Sequence, residues 1–358
     1  MKGLVQMVNT TDNRDFPQRG TSLSLDNHAK NYSSLVTIDD IISIKALSGA
    51  WKKFSRGKKS RKDVAGYQKN LSRNLRVLHE QLASGCYRHE AYQKFIIHDP
   101  KQRQIHKATV QDRIVHQAIV TAIEPLFEKR FVHDSYSCRV GKGTHAGVTR
   151  LRSFLRKASC NNTKKVYVLK CDVRKFFASI DHEMLLNLIA RRIQNEEILE
   201  LIRTIILSHG SETGKGIPLG NITSQLFANI YLHELDWHIK QVLRIKYYVR
   251  YCDDFVIVSS NKDYLIALIE HIRRFLKDEL LLDLHPNKVS IRCWNQGVDF
   301  LGYVLQPKST ILRTKTRRRM LAKINCENVD SYLGLCSHAN AFRLSQLVRM
   351  IAWRSEYL

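Results

Sequence analysis

Apolar positions between Ile38 and Gln81 recur every three or four residues, the period of a helix with one buried face. The same period returns over residues 182–208 and 263–280, and a further helix is predicted from about Ile222 to Ile239. β-Branched and aromatic runs at 166–172, 246–258 and 289–303 interrupt this pattern and read as strands. Helices and strands mixed in this order predict an α+β chain, with helices packed on an antiparallel sheet. Residues 1–34 lack a clear period and are rich in Asn, Asp, Ser and Thr, so a flexible leader is expected. The 358 residues suffice for two or three subdomains around a sizeable core.

Two of the predicted strands end in carboxylates. Residues 248–258 read Tyr-Val-Arg-Tyr-Cys-Asp-Asp-Phe-Val-Ile-Val, two apolar runs meeting at Asp253 and Asp254. Two ionised carboxylates about 4 Å apart repel by roughly 4 kcal/mol at an effective dielectric near 20, a cost that a divalent cation removes. A polar turn between two strands is the plainer alternative for this pair. The run Val166-Tyr-Val-Leu-Lys-Cys-Asp172 shifts the balance, because it delivers a third carboxylate to the end of another strand, before a turn into a helix. Two-metal phosphoryl transfer needs carboxylates that grip both ions about 3.5–4 Å apart, and Asp172 facing Asp253 is the pairing expected here.

The chain resembles the reverse transcriptases, whose palm carries an aspartate followed five residues later by an aromatic, here Asp172 and Phe177, and a Tyr-x-Asp-Asp turn, here Tyr251-Cys252-Asp253-Asp254. The resemblance runs in the family's order over about residues 90–320. Lys101-Gln-Arg103-Gln-Ile105 and the segment Gln111 to Gln117 are similar to the fingers region that holds the incoming triphosphate, with Arg103 the closer match and Lys101 the second. A solvated basic stretch is the competing reading of each. Ser135-Tyr-Ser-Cys-Arg139-Val-Gly141-Lys-Gly143-Thr-His145 resembles a segment of bacterial and intron-type members. Leu284-His-Pro-Asn-Lys288 matches the loop lysine near the leaving pyrophosphate, and Val298-Asp-Phe-Leu-Gly302-Tyr303 matches the primer grip. The resemblance implies a right-hand polymerase fold. Its parts are an N-terminal extension and fingers over 35–160, a palm over 161–303 and a short helical thumb over 304–358. It implies two Mg2+ ions on Asp172, Val173, Asp253 and Asp254, with Arg103, Lys101, Phe177, Leu219, Gly220 and Lys288 around the nucleotide. Arg139, Ser224, Gly302, Tyr303, Arg313, Lys315, Arg317 and Arg318 are implied on the nucleic acid.

One segment departs from the usual pattern. Most of the family carries Gln-Gly-x-x-x-Ser-Pro, whereas residues 219–225 place Leu219 at the Gln position and Gln225 at the Pro position, around Gly220 and Ser224. This form is similar to the reverse transcriptases of diversity-generating retroelements, which copy a template-repeat RNA into cDNA with errors opposite adenine. Apolar shape alone discriminates by about 1–3 kcal/mol, less than a site that reads a polar group, so Leu219 offers a reason for low fidelity. Packing of its loop against the following helix is the alternative role. Phe177 likewise reads either as a core aromatic or, as the family implies, as the wall that excludes a 2′-hydroxyl.

Composition agrees with a nucleic-acid enzyme. A formal net charge of +25 attracts phosphate backbones. It concentrates in two clusters, residues 51–62 and 313–319. The first interleaves Trp51 and Phe54 with cations, which suits either base stacking or a solvated basic face; the second is expected to open the thumb. After Gly302 the 56 remaining residues match a short thumb, and a self-contained group II intron maturase is the less expected reading. Eight cysteines without Cys-x-x-Cys spacing argue against zinc and for a reducing cytoplasm, bacterial or phage-encoded. No signal pattern or long apolar run supports secretion or a membrane partner. The function classes are then a mutagenic polymerase working with template RNA, its RNA-cDNA hybrid, dNTPs and a basic accessory variability protein; another bacterial reverse transcriptase, of a retron or phage-defence kind; or a catalytically inactive RNA-binding protein on the same scaffold.

Overall fold

The β-rich runs pair into three antiparallel sheets in a computed structural model that describes residues 36–98, 101–209 and 213–357. The leader expected over 1–34 lies outside the described residues. Strands β1 (Gln93–Ile97) and β2 (Arg103–Lys107) form a two-stranded hairpin that is largely exposed. The central sheet holds β3 (Tyr167–Asp172), β4 (Tyr248–Tyr251), β5 (Asp254–Ser259) and β6 (Ser290–Cys293) in the order β4-β5-β3-β6. A third sheet joins β7 (Val298–Phe300), β8 (Tyr303–Leu305) and β9 (Thr310–Leu312).

Residues on a strand point alternately to opposite faces, and the central sheet is covered on both. Leu169, Cys171, Phe255 and Ile257 join one hydrophobic core with the helices Ile44–Ser55, Val110–Glu128, Ile222–Trp237 and Lys262–Leu280. Val168, Val256 and Val258 join a second core with Phe300, Tyr303, Met320 and Val348 on the third sheet and the C-terminal helices. This explains why these strands read as unbroken apolar runs. Lys170 and Asp172 lie on the second face, where it stops being apolar at the end of β3.

Three predicted elements are divided. The helix expected over 182–208 is two, His182–Ala190 and Glu196–Leu207, because Asn195 accepts from the Ile198 N–H at 3.0 Å and caps the second one. The helix expected to reach Ile239 is regular to Trp237 and continues as a wider π turn over His238–Val242. The β-rich run expected over 289–303 is β6, β7 and the start of β8, split between two sheets. A 3-10 turn at Trp294–Gln296 and Gly297, at φ +83, redirect the chain between them.

Candidate active site

The three carboxylates converge because two strand ends meet. Asp172 is the last residue of β3 and Asp254 the first of β5, and the two are direct cross-strand partners. The register therefore sets Asp254 opposite Asp172, with Asp253, the carboxylate expected to share metal with Asp172, one residue earlier and near enough to feel its charge. Asp253 stands in the two-residue turn, after Cys252 at φ +55, a left-handed conformation that non-glycine residues rarely take. The Val173 N–H donates to the Asp253 carbonyl at 3.3 Å, tying the turn to the end of β3, and the His285 N–H donates to the Asp172 carbonyl at 2.8 Å, tying the loop before β6 to the same strand end.

Electrostatics follow from that crowding. Burial pushes the Asp254 carboxyl up to about 6; Lys170 opposes the rise, and the charges of Asp253 and Asp172 add to it. Asp253 is raised from the ordinary carboxylate range, first by burial and then by Asp172. Lys288 reaches in, with Nζ 2.7 Å from Asp172 Oδ1. Beside the carboxylates lies a cavity of about 320 Å³ whose lining includes Lys101, Lys170, Lys288, Arg292 and Arg313. A cationic hollow against a carboxylate cluster suits a chain of phosphates presented to a metal site.

A buried network that sequence reasoning missed holds the turn in place. Arg250 is 0 % exposed; its Nε and Nη2 donate to Asp236 at 2.7 and 2.6 Å, while Nη1 donates to Asn229 Oδ1 at 3.3 Å and to the Cys252 carbonyl at 3.1 Å. Tyr248 Oη adds a 2.5 Å bond to Asp236. The turn that carries Asp253 thus hangs from a buried guanidinium. A lone Arg inside the apolar Tyr-Val-Arg-Tyr run was the one available signal.

Of the residues expected around the nucleotide, Arg103, Lys101, Leu219 and Gly220 lie at or beside the β1–β2 hairpin. Arg103 and Lys101 are exposed, and Lys101 reaches the cavity with Asp172. Leu219 is half-buried, and its carbonyl accepts from His106 of β2 at 3.0 Å. Gly220 holds φ +111 against Ile105, and Gln225 is exposed on its helix. Phe177 is half-buried with its ring centre 5.4 Å from Phe176, the deeper of the two.

Three expected contacts to nucleic acid are corrected. Arg139 donates to both oxygens of Glu128 and to Val132 and Ser135, and its side chain is 5 % exposed, so the guanidinium is consumed inside the protein. Ser224 is buried in the packed face of its helix. Tyr303 is buried with its hydroxyl on His145 and the Leu335 carbonyl. In the first basic cluster, open to either base stacking or a solvated basic face, Trp51 and Phe54 are core residues, Trp51 stacking on Tyr67 and Phe54 lying under Arg113, while Lys52, Lys53, Arg56, Lys59, Arg61 and Lys62 are exposed. In the second cluster Arg313 pairs with Asp299 beside Gly302, while Lys315, Arg317 and Arg318 are exposed on the helix Thr314–Lys323.

The described residues contain no preformed cage of three or more His, Cys, Asp or Glu for a metal. The chemistry of the donors nevertheless fits a hard divalent cation, since all three are carboxylates and two of them are raised above their ordinary range by burial and by the neighbouring carboxylate charges. A family model described as reverse transcriptase (RNA-dependent DNA polymerase) matches residues 97–305. The chain is 27 % identical over 278 residues to protein YkfC of Escherichia coli (strain K12), covering 66 % of this chain and 72 % of that one. It is 23 % identical over 322 residues to the group II intron-encoded protein LtrA of Lactococcus lactis subsp. cremoris, covering 69 % of this chain and 52 % of LtrA, so it spans about half that relative's length. Among solved structures, apo telomerase from Candida tropicalis, truncated from its C-terminal domain, superposes with a TM-score of 0.48 at 12 % identity, covering 62 % of this chain and 55 % of that one.

Proposed function

The chain belongs to the reverse transcriptase (RNA-dependent DNA polymerase) family, and from that premise we propose that it is the RNA-directed DNA polymerase of a diversity-generating retroelement. In this reading it copies a template-repeat RNA into cDNA with errors opposite adenine, and a basic accessory variability protein joins it. The observation that carries the finer reading is Leu219-Gly220 with Ser224-Gln225, where an apolar side chain stands beside the fingers strand in place of an amide. The fingers are taken as ending near 160, the palm near 303, and the thumb as the remainder. A cytoplasmic site of action belongs to the same reading; no described helix is long and apolar enough to cross a membrane.

Asp172, Asp253 and Asp254, with the Val173 carbonyl, would hold two Mg2+ ions, which when bound supply charge stabilisation at the transferred phosphoryl group. Arg103 and Lys101 grip the triphosphate. Phe177 blocks a 2′-hydroxyl, and Lys288, released from Asp172, stands where a cation or proton donor aids the leaving pyrophosphate.

Primer extension on a defined RNA, followed by sequencing of the cDNA, tests this reading. Substitutions confined to template adenine are expected, and Leu219→Gln should reduce them. Errors not confined to adenine would favour the second reading, another kind of bacterial reverse transcriptase without the mutagenic function, which the likeness to a group II intron-encoded protein supports.

A further inference from the structure

The fingers hairpin and the Leu219-Gly220-Asn221 loop meet at one residue. Lys94 and His106 face each other across β1 and β2, and in an antiparallel ladder alternate pairs turn both backbone polar groups outward. The loop takes both outward groups of His106. Its N–H donates to the Leu219 carbonyl at 3.0 Å, and its carbonyl accepts from Asn221 Nδ2 at 3.1 Å. Ile105 closes the contact from the side, since a Cβ on Gly220 would stand 2.8 Å from its Cγ2. The loop acts as a third strand, one residue wide, on the open edge of β2.

Asn221 is committed to this contact. The residue is 3 % exposed, too deep to touch substrate, and its Oδ1 is buried with no partner among the described residues. Arg103 stands three residues along the same strand, about 10 Å away at the rise of a strand, and Leu219 is two residues back along the loop. Slack at the clamp therefore moves the triphosphate grip relative to the wall beside the base pair.

We propose that Asn221 is a positioning residue that fixes the register between the nucleotide-gripping hairpin and the Leu219 loop, and so sets the affinity for the incoming nucleotide. This rests on the polymerase reading of the site. Without the Nδ2 donor the hairpin gains freedom that nucleotide binding must then remove. The loss appears in KM, while the carboxylates, held by the central sheet, keep the chemical rate.

Asn221→Asp keeps the shape and removes the donor. In the free full-length protein, hydrogen exchange should show protection across 103–107 falling about tenfold with 167–172 unchanged; unchanged protection at 103–107 would overturn the clamp. In single-nucleotide extension, KM for dNTP should rise about tenfold with kcat within about twofold. In an Arg103→Ala background the same substitution should change KM by less than about twofold. A fall in kcat at constant KM, or KM effects that multiply in the double variant, would overturn the coupling. The exchange measurement needs no template, so the clamp can fail while extension by the wild-type enzyme still supports the polymerase reading.

Discussion

Two hairpins carry charged residues to the same site, and they are built in opposite ways. The β4–β5 hairpin lies inside a four-stranded sheet with hydrophobic core on both faces, and its turn is tied to the buried Arg250. The β1–β2 hairpin is a separate two-stranded sheet with mostly exposed side chains. Its base is held by the His106 clamp, by a Tyr92–Ser208 hydroxyl bond and by Lys107 on Asp63. Carboxylates that must share ions about 3.5–4 Å apart tolerate little slack, whereas a grip on substrate has to open and close. Rigidity therefore belongs with the chemistry and freedom with selection.

The sharpest way to break this contrast is to remove charge at the rigid end. Asp253→Asn should lower primer extension by at least about 10³-fold, the scale of losing a group that stabilises transition-state charge, while leaving RNA binding nearly unchanged. Residual synthesis within tenfold of wild type would remove the carboxylate cluster from the chemistry. Next in size is the support beneath it. Arg250→Met leaves the buried Asp236 without its cation and with only the Tyr248 hydroxyl, which costs about 3–5 kcal/mol of stability in denaturant unfolding, and Arg250→Met with Asp236→Leu should recover most of that loss. Arg103→Ala, on the exposed hairpin, should stay within about 0.5 kcal/mol of wild type. Equal losses at Arg250 and Arg103 would dissolve the distinction between the two hairpins.

The same contrast explains what the sequence disclosed. Asp172, Asp253 and Asp254 were legible because each ends an apolar run, and a charge at the end of a strand is visible in one dimension. The register that sets Asp254 opposite Asp172 was not, since it depends on pairing between segments about eighty residues apart. Arg139 and Tyr303 looked like nucleic-acid ligands from their motifs. Their partners Glu128 and His145 lie 11 and 158 residues away, and these are what draw both side chains inward. Trp51 and Phe54 stayed ambiguous for a related reason, because most of the cations around them are exposed while the helix turns its aromatic face to the core.

At Phe177, five residues beyond Asp172, effects should be smaller and confined to substrate choice. Phe177 is half-buried over Phe176, so Phe177→Ala removes a wall without opening the deeper core. Ribonucleotide incorporation should rise about 10- to 100-fold relative to deoxyribonucleotide, the range that apolar shape alone can discriminate. Continued rejection of ribonucleotides in competition assays would return Phe177 to a packing role.

The smallest effect compares two carboxylates, one at each hairpin. Hydrogen bonds from Lys107 and Arg113 hold Asp63 well below the usual range against its desolvation, so its contribution is present above its unfolded pKa and is lost only in strong acid. Asp254, at about 6, behaves in the opposite sense: its protonated form is favoured by the fold, and that stability is lost as pH rises through 6. Between pH 5 and 8 Asp63 is constant and Asp254 changes. Buried His116, near 3, and His233, near 4, push overall stability the other way, because they resist protonation in the folded chain as pH falls. The comparison must therefore be made between wild type and Asp254→Asn. In the metal-free protein the variant should gain about 1 kcal/mol on wild type between pH 5 and pH 8, a relative Tm shift of about 2–4 °C. Millimolar Mg2+ should cancel the gain at pH 8, since the cation favours the ionised form that burial opposes. A wild-type-to-variant difference that is the same at both pH values would mean that Asp254 sits in no more strain than an exposed carboxylate, and that the rigid hairpin stores no charge conflict for a cation to relieve.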